Sequence, residues 1–298
     1  MKRRTAELIR ILQGRKMLTH MNIMIGNARH CLVNWISQNS SLCALRDLNF
    51  EVSFPYCVQY AQALYILRYY PAYFAENYML YTTLSEMGCR RPDIASIGCG
   101  SMVDGAAASY VFDSFTYHGY DLNDWSFKGL TPNGGSVIFH NGDVFSETSW
   151  DVERDVFCFS RSLRDIGDNI DGLRCAVEST DFKYDNIYIC ATYNSAPDEI
   201  RRSHRGMLRR FASFFEDYDI INEDYWDSGR LSKRGRAIRS HLDWWVHSES
   251  SFCSSLLSRC RDMLSDGCAT SDCETNLQKK PILNVTELGF EVLHLLRR

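Results

Sequence analysis

From residue 92 the sequence falls into short apolar runs, IASIG, FTYHGYD, SVIFHNGD, DVFCFS and NIYICATY, separated by lengths suited to helices or tight crossovers. That alternation predicts an α/β fold built as a doubly wound, mostly parallel sheet. In such sheets ligands lie across the carboxyl ends of the strands, where the strand order reverses. The first run leads into Gly98-Cys99-Gly100, the second ends on Asp121, the third on Asp143 and the fourth on Ser160-Arg161. Those four ends are expected to line one crevice.

Before residue 90 the text is helical: RTAELIRILQ, NARHCLVNWISQ and PYCVQYAQALYILRYYPAYFAENYMLYTTLSEM carry apolar and aromatic residues at spacings of three and four. Pro71 has no N–H to donate and disfavours helix at Tyr70, so one helix is expected to end or kink there and another to open. Residues 1–90 are therefore expected to form an N-terminal helical cap. The aromatic residues Tyr69, Tyr70, Tyr73 and Phe74, with Asn77 and Tyr78, are expected either to reach the crevice as a lid or to pack in the core.

With 298 residues, 45% of them hydrophobic and 23% charged, the chain has the composition of an ordinary folded protein with room for one large core or two modest ones. A net charge of −4 argues against a uniformly basic nucleic-acid coat. No run approaches the ~18 apolar residues of a membrane span, and MKRRTAELIRILQGRKM has charges where a signal peptide needs its apolar centre. A cytoplasmic protein with no membrane partner is expected, its first helix amphipathic through Leu8, Ile11 and Leu12, although an Arg-rich start also suits a transit peptide. The 12 cysteines are scattered singly and read as reduced thiols. Cys253, Cys260, Cys268 and Cys273 lie close in sequence, but their spacing fits no familiar zinc or iron-sulfur pattern, so no metal is expected.

Glycines after a first strand let the backbone reverse close to a ligand, and an acid ending the second strand can accept hydrogen bonds from a ribose diol. A nucleoside-bearing ligand fits both. A dinucleotide fingerprint wants a third glycine where this chain has Val103, and Asp104 would repel a pyrophosphate. A cofactor carrying an ammonium group would welcome that carboxylate, which points to S-adenosyl-L-methionine. Asp104 also reads as an acid complementing a helix N-terminus, and Asn141-Gly142-Asp143 also reads as a turn.

Residues 92–163 resemble the cofactor half of a class I, Rossmann-like S-adenosylmethionine-dependent methyltransferase. SIGCGS resembles that family's glycine-rich first motif, GYDLND its ribose-binding second, and NGDVF its third, where an acid and the following amide contact adenine; DVFCFSRSL occupies the fourth. The closing text, PILNVTELGFEVLHLLRR, resembles the family's final antiparallel hairpin. The resemblance implies a seven-stranded sheet with a C-terminal antiparallel hairpin behind an N-terminal helical domain. It also implies cofactor contacts from Ile97, Gly98, Cys99, Gly100, Asp104, Asp121, Leu122, Asp143, Val144, Phe145 and Ser160. Two departures stand out: Ser96 where the family often has an acid, and Met102 in place of its third glycine.

Methyl transfer needs few obligatory side chains, since the enzyme mainly aligns a nucleophile and manages any proton lost. The exit from the fourth strand, Phe159-Ser160-Arg161-Ser162-Leu163, carries neither the signature of exocyclic amine methylation nor the Pro-Cys of cytosine C5 enzymes. Cys158 is expected to pack within the sheet. Arg161 reads either as orienting an anionic substrate or as pairing with Asp165 on the next turn. Tyr73, Asn77, Arg161 and Tyr193 are the substrate-side candidates.

An insert at about 196–278 holds two basic clusters, Arg201–Arg210 and Arg230–Arg239, against an acidic stretch, EDYDIINEDYWD. The clusters read as solvated helical faces or as an RNA-binding surface, and Trp244-Trp245 as core or as a stacking platform. The acceptor is left as a small molecule or RNA. Two other readings are transfer of the cofactor's aminocarboxypropyl arm, as in nicotianamine-synthase-like enzymes, and a non-catalytic binding or scaffold protein on the same fold.

Overall fold

The computed structural model describes residues 2–39 (side chains from residue 19), 41–45, 48, 55–128, 135–194, 198–227, 252, 254–260, 277 and 288–298. Arg230–Arg239, Trp244-Trp245, three of the four clustered cysteines and the text from Pro281 to Glu287 lie outside the described residues.

The chain divides into two compact units, one made of Met1–Ala72, Trp125–Leu130 and Ala237–Leu283, the other of Tyr73–Asp124, Thr131–Arg236 and Asn284–Arg298. In the first, helix α1 (Lys2–Asn39) buries Met21, Met24, Ile25, Ala28, Leu32 and Ile36, the stripe that a 3.6-residue period places on one face. Trp125 contributes to the same unit, its indole against the rings of Tyr56 and Tyr65.

Helix α2 (Gln59–Glu86) continues through Pro71, where the sequence predicts an end or a kink and the opening of a second helix; it does not end there. Proline in a helix interior loses a hydrogen bond and crowds the preceding turn, a penalty of about 3 kcal/mol. Here its neighbours are packed on all sides, with Tyr70, Ala72 and Phe74 each almost fully buried, and tertiary packing carries the helix past the proline. The two units divide one residue later, at Ala72 and Tyr73.

The second unit holds the whole sheet: β1 (Asp93–Ile97), β2 (Phe115–Asp121), β3 (Gly135–Asn141), β4 (Val156–Ser160), β5 (Asn186–Asn194), β6 (Tyr218–Asp227) and β7 (Leu288–Arg297). Their order is β3-β2-β1-β4-β5-β7-β6. The first five run parallel, while β7 is antiparallel to both β5 and β6. This is the expected doubly wound, seven-stranded sheet with its antiparallel hairpin.

The central strands are buried on both faces, which is why they read as near-continuous apolar runs. One face, with Ile97, Phe157, Phe159 and Ile189, packs against α4 (Leu163–Ile166), α5 (Arg174–Glu178) and α6 (Asp198–Ala212). Phe157 meets Phe182, Phe211 and Phe215 edge-on at 5.4–5.8 Å, the geometry that aromatic quadrupoles favour. The other face carries Tyr117, whose hydroxyl meets α3 (Val103–Ala108) at Asp104, with the Tyr81 hydroxyl of α2 on the same carboxylate.

The hairpin is placed differently from the sequence expectation. Its first strand, β6, is the acidic stretch assigned to the insert, and α6 precedes it, so the residues between the hairpin strands are 228–287. Asp219, Glu223 and Asp224 sit on an edge strand that is half open to solvent, and a register shift at Ile220/Asn222 breaks the period-two alternation.

Candidate functional site

At the carboxyl end of β1 the chain turns through Gly98 and Gly100, both at positive φ (68° and 53°). A Cβ on Gly98 would lie 2.5 Å from that of Ser162, so the close approach requires glycine as well as the backbone angle. The amides of Gly98 and Cys99 both donate to the Tyr120 carbonyl, at 2.8 and 3.0 Å. The next amide, Gly100 N–H, donates to Asp121 Oδ2 at 2.9 Å. The glycine loop and the acid ending β2 are thus one hydrogen-bonded unit.

Neighbouring strand ends join it. Asn123 N–H donates to Asp121 Oδ1 at 2.8 Å, Gly142 N–H to the Asp121 carbonyl at 3.0 Å and Asn141 Nδ2 to the Leu122 carbonyl at 3.0 Å. Ser162 Oγ donates to the Ile97 carbonyl, and Arg161 N–H to Thr192 Oγ1 at 3.1 Å. The ends of β1 to β5 therefore form one framework. Within it Leu122 is 69% exposed, an apolar side chain held open to solvent beside Asp121.

β3 ends at Asn141, and Asp143 is both an acid beyond a strand and a turn residue: its Oδ1 accepts from Phe145 N–H at 3.0 Å, capping the single turn Val144–Ser146. Asp143 is exposed, while Val144 and Phe145 are half-buried against the core beneath α4 to α6.

Asp104 lies elsewhere. It is fully buried, with Oδ1 accepting from the Tyr117 hydroxyl at 2.7 Å and Oδ2 facing the Tyr81 hydroxyl at 3.4 Å. Burial pushes its carboxyl above the usual range and does the same to the Cys99 thiol. A protonated, buried Cys99 is no nucleophile.

A second cluster forms where β4 ends against the second half of α2. Arg161, at φ 62°, extends Nε and Nη2 to the two oxygens of Glu76, both at 2.9 Å, and stacks its guanidinium over the Tyr73 ring at 4.6 Å. Arg161 thus pairs with Glu76 and not with Asp165, because the left-handed backbone aims its side chain at α2. Glu76 is fully buried; it also accepts from Gly289 N–H at 2.9 Å, and Thr192 adds a hydrogen bond. Burial raises its carboxyl, and the Arg161 guanidinium pulls it back down. Beside it Asn77 Nδ2 donates to the Tyr73 carbonyl at 2.8 Å and to Ser160 Oγ at 3.0 Å.

Tyr193 lies on the opposite face of the sheet, its ring 5.4 Å from that of His204 on α6. His204 is 6% exposed with Nδ1 unpaired; burial, reinforced by Arg161 and Arg164, lowers it to about 4, so the imidazole is neutral at physiological pH. Both Glu76 and His204 escape the sequence reading. The available signals were a lone acid in the apolar text YFAENYML, and the His204, Leu208, Phe211 spacing that sets this histidine on the buried face of an arginine-rich helix.

Four of the five arginines on that helix are paired. Arg201 meets Asp198 (3.1 Å), Arg205 meets Glu223 (3.0 Å) and Glu291 (2.9 Å), Arg209 meets Glu223, and Arg210 meets Asp171. The acidic strand β6 and the basic helix α6 thus neutralise part of each other's charge. Among the described residues no group of three or more His, Cys, Asp or Glu is arranged to hold a metal ion, and no helix is long and apolar enough to cross a membrane.

No family model and no curated protein sequence matches the chain. Among solved structures it is similar to Haemonchus contortus phosphoethanolamine N-methyltransferase 2 in complex with phosphomonomethylethanolamine and S-adenosylhomocysteine, at 10% identity and a TM-score of 0.40 over 72% of this chain and 51% of that one. A Geobacter sulfurreducens S-adenosylmethionine-dependent methyltransferase in complex with S-adenosylhomocysteine matches at 13% identity and a TM-score of 0.38, over 75% of this chain and 90% of that one. The [4+2]-cyclase SpnF matches at 12% identity and a TM-score of 0.40, over 74% and 81%. It is the strand order of this chain that defines its fold, and its own residues that define its site. With the order β3-β2-β1-β4-β5-β7-β6 and an antiparallel β7, the chain has the Rossmann-like fold of class I S-adenosylmethionine-dependent methyltransferases.

Proposed function

We propose that this protein binds S-adenosylmethionine across the ends of β1, β2 and β3 and is a methyltransferase whose acceptor lies beside the ends of β4 and β5. The observation that carries this reading is the bond from Gly100 N–H to the Asp121 carboxylate, which sets a tight glycine loop and a strand-end acid side by side. Asp121 accepts from Gly100 N–H, Asn123 N–H and, at 3.4 Å, Asn123 Nδ2, and its carboxylate keeps acceptor capacity beyond these that suits a ribose hydroxyl. Leu122 offers an apolar surface for adenine, and the turn at Asp143 to Phe145 bounds the same end of the crevice. Gly98 lets the loop turn tightly against Ser162, where no side chain would fit, and so holds the loop at the strand ends.

When bound, S-adenosylmethionine supplies a methyl group already activated on a sulfonium sulfur. The chain's own part is alignment. Tyr73, Asn77 and Arg161, locked by the ion pair with Glu76, give a rigid wall on the α2 side, while Tyr193 and neutral His204 stand on the α6 side. Because Glu76 neutralises Arg161, that wall carries little net charge, which favours a neutral acceptor over a polyanion.

Calorimetric titration with S-adenosylmethionine and S-adenosylhomocysteine tests the reading. The wild type is expected to bind both, and Asp121→Ala to lose roughly tenfold or more in affinity, the scale of a hydrogen bond to a charged group. A folded wild type that binds neither ligand sinks the proposal.

A further inference from the structure

Of the seven large apolar side chains left exposed among the described residues, four gather at one corner of the sheet: Tyr184 (43%), Ile220 (40%), Ile221 (52%) and Leu296 (38%). The strand register brings them together. Leu296 on β7 stands between Asn186 and Asp219, the next rung pairs Leu295 with Ile220, and the Tyr218 hydroxyl donates to the Tyr184 carbonyl at 2.7 Å. Apolar residues scattered singly over a surface need no explanation, whereas a contiguous group points to a partner. This corner lies at the amino-terminal end of β5, away from the carboxyl ends that form the candidate cofactor site.

The bulge in β6 creates the group. Its ladder passes from Ile220 to Asn222, so Ile221 opposes no residue of β7. Regular alternation turns one of two adjacent residues towards the covered face, but here the extra residue leaves both isoleucines open. Bulges and charges guard edge strands against unwanted pairing. A guard gives no reason to expose isoleucine where a polar residue would serve.

The rim of the corner is acidic. Asp181, Asp185, Glu216, Asp217 and Asp219 are all exposed around it. The two arginines among them are occupied: Arg297 donates to the Tyr218 hydroxyl and the Phe182 carbonyl, and Arg298 to the Glu216 carbonyl. Each also lies 3.8 Å from one acid, Asp181 and Asp219 respectively, and Lys183 is held by Glu153 at 2.5 Å. Asp185, Glu216 and Asp217 form no ion pair among the described residues.

An apolar centre inside a charged rim is the anatomy of a protein-binding surface, and the sign of the rim selects the partner. Nucleic acid and anionic lipid are repelled. A second copy set two-fold against the same corner would place acids against acids.

We propose that this corner docks a basic polypeptide segment, whose apolar side chains cover Tyr184, Ile220, Ile221 and Leu296 while its lysines or arginines meet the acidic rim.

The probe for this surface is a short synthetic peptide of alternating lysine and leucine, carrying a fluorophore and a photoreactive group, with a peptide of alternating glutamate and leucine as its counterpart. The wild type is expected to bind the lysine peptide and not the glutamate one, more weakly as salt rises, with photo-adducts on β6 and β7. Ile221→Ser and Leu296→Ser alter exposed side chains, so both are expected to unfold near the wild-type midpoint. Each is expected to weaken binding roughly tenfold, the scale of covering one apolar side chain. Replacing Asp217 and Asp219 together by Asn is expected to weaken binding and flatten its salt dependence. A folded wild type that does not bind the lysine peptide, serine variants that bind it as well as the wild type, or adducts elsewhere on the chain overturn the proposal. So does self-association of the wild type that Ile221→Ser abolishes, because the corner is then an interface between copies.

Discussion

Among the described residues two other than glycine hold left-handed backbone, Met102 at φ 59° and Arg161 at φ 62°, and each follows a strand end that forms the candidate site. For an L-residue that conformation costs roughly 1–2 kcal/mol. The compensation is visible at both: Met102 is buried and its amide reaches the Cys99 carbonyl at 2.8 Å, while Arg161 is fastened by Thr192, Glu76 and the Tyr73 ring. Gly98 occupies the same region where no side chain fits. Gly98→Ala is expected to destabilise the fold by about 2 kcal/mol or more, from the backbone angle and from the clash with Ser162. Gly142→Ala, with open space at the added methyl, serves as the control and is expected to unfold at the wild-type denaturant midpoint.

One side chain of helix α2 ties together three strands of the sheet. From a single buried carboxylate Glu76 reaches β4 through Arg161, β5 through Thr192 and β7 through Gly289. Removing one partner of a buried pair leaves the other charge uncompensated and typically costs about 3–5 kcal/mol. Glu76→Leu and Arg161→Leu are each expected to lose on that scale in chemical denaturation. The double variant is expected to lose less than their sum, and a strictly additive result would remove the coupling. Neither the pair nor its partners was legible in the sequence, because contacts between residues 76, 161 and 289 depend on how the chain returns to the same place. The strands were legible where both faces are buried, since runs such as DVFCFS have no other use for so many apolar residues. Strand β6 was not: its acids serve an open edge and the arginines of α6, and they read as surface. His204 was hidden for the complementary reason, one buried residue among exposed arginines.

At the scale of the whole molecule, each carboxyl group raised by burial, Asp104 and Glu76 among them, contributes stability that falls as pH rises, while the histidines lowered by burial contribute with the opposite sign. Asp155 illustrates the sign. Burial lifts it to about 7, whereas in the unfolded chain it titrates near an ordinary aspartate, at about 3.9. The folded state thus holds this proton across a range where the unfolded state has lost it. Its contribution to stability is fully present below pH ~4 and is lost as pH rises towards 7. Asp155→Asn keeps an oxygen for the Asp93 N–H, which Oδ1 now accepts at 2.7 Å, and removes the titration. Thermal unfolding is expected to show similar midpoints for the variant and wild type at pH 4, and a variant more stable by on the order of a few °C at pH 8. A wild-type advantage at pH 8 would contradict the assignment.

The position of β7 has a consequence for the order of events during synthesis. Strands β5 and β6 are near neighbours in sequence, yet they never touch as a pair: β7 lies between them and is the partner of both. As the chain emerges from the ribosome, residues 228–287 must follow β6 before its partner β7 arrives. Until then β6 has no ladder to join and one edge of β5 stays open. Unpaired strand edges of this kind are the ones a nascent chain exposes to wrong partners, and here they close last.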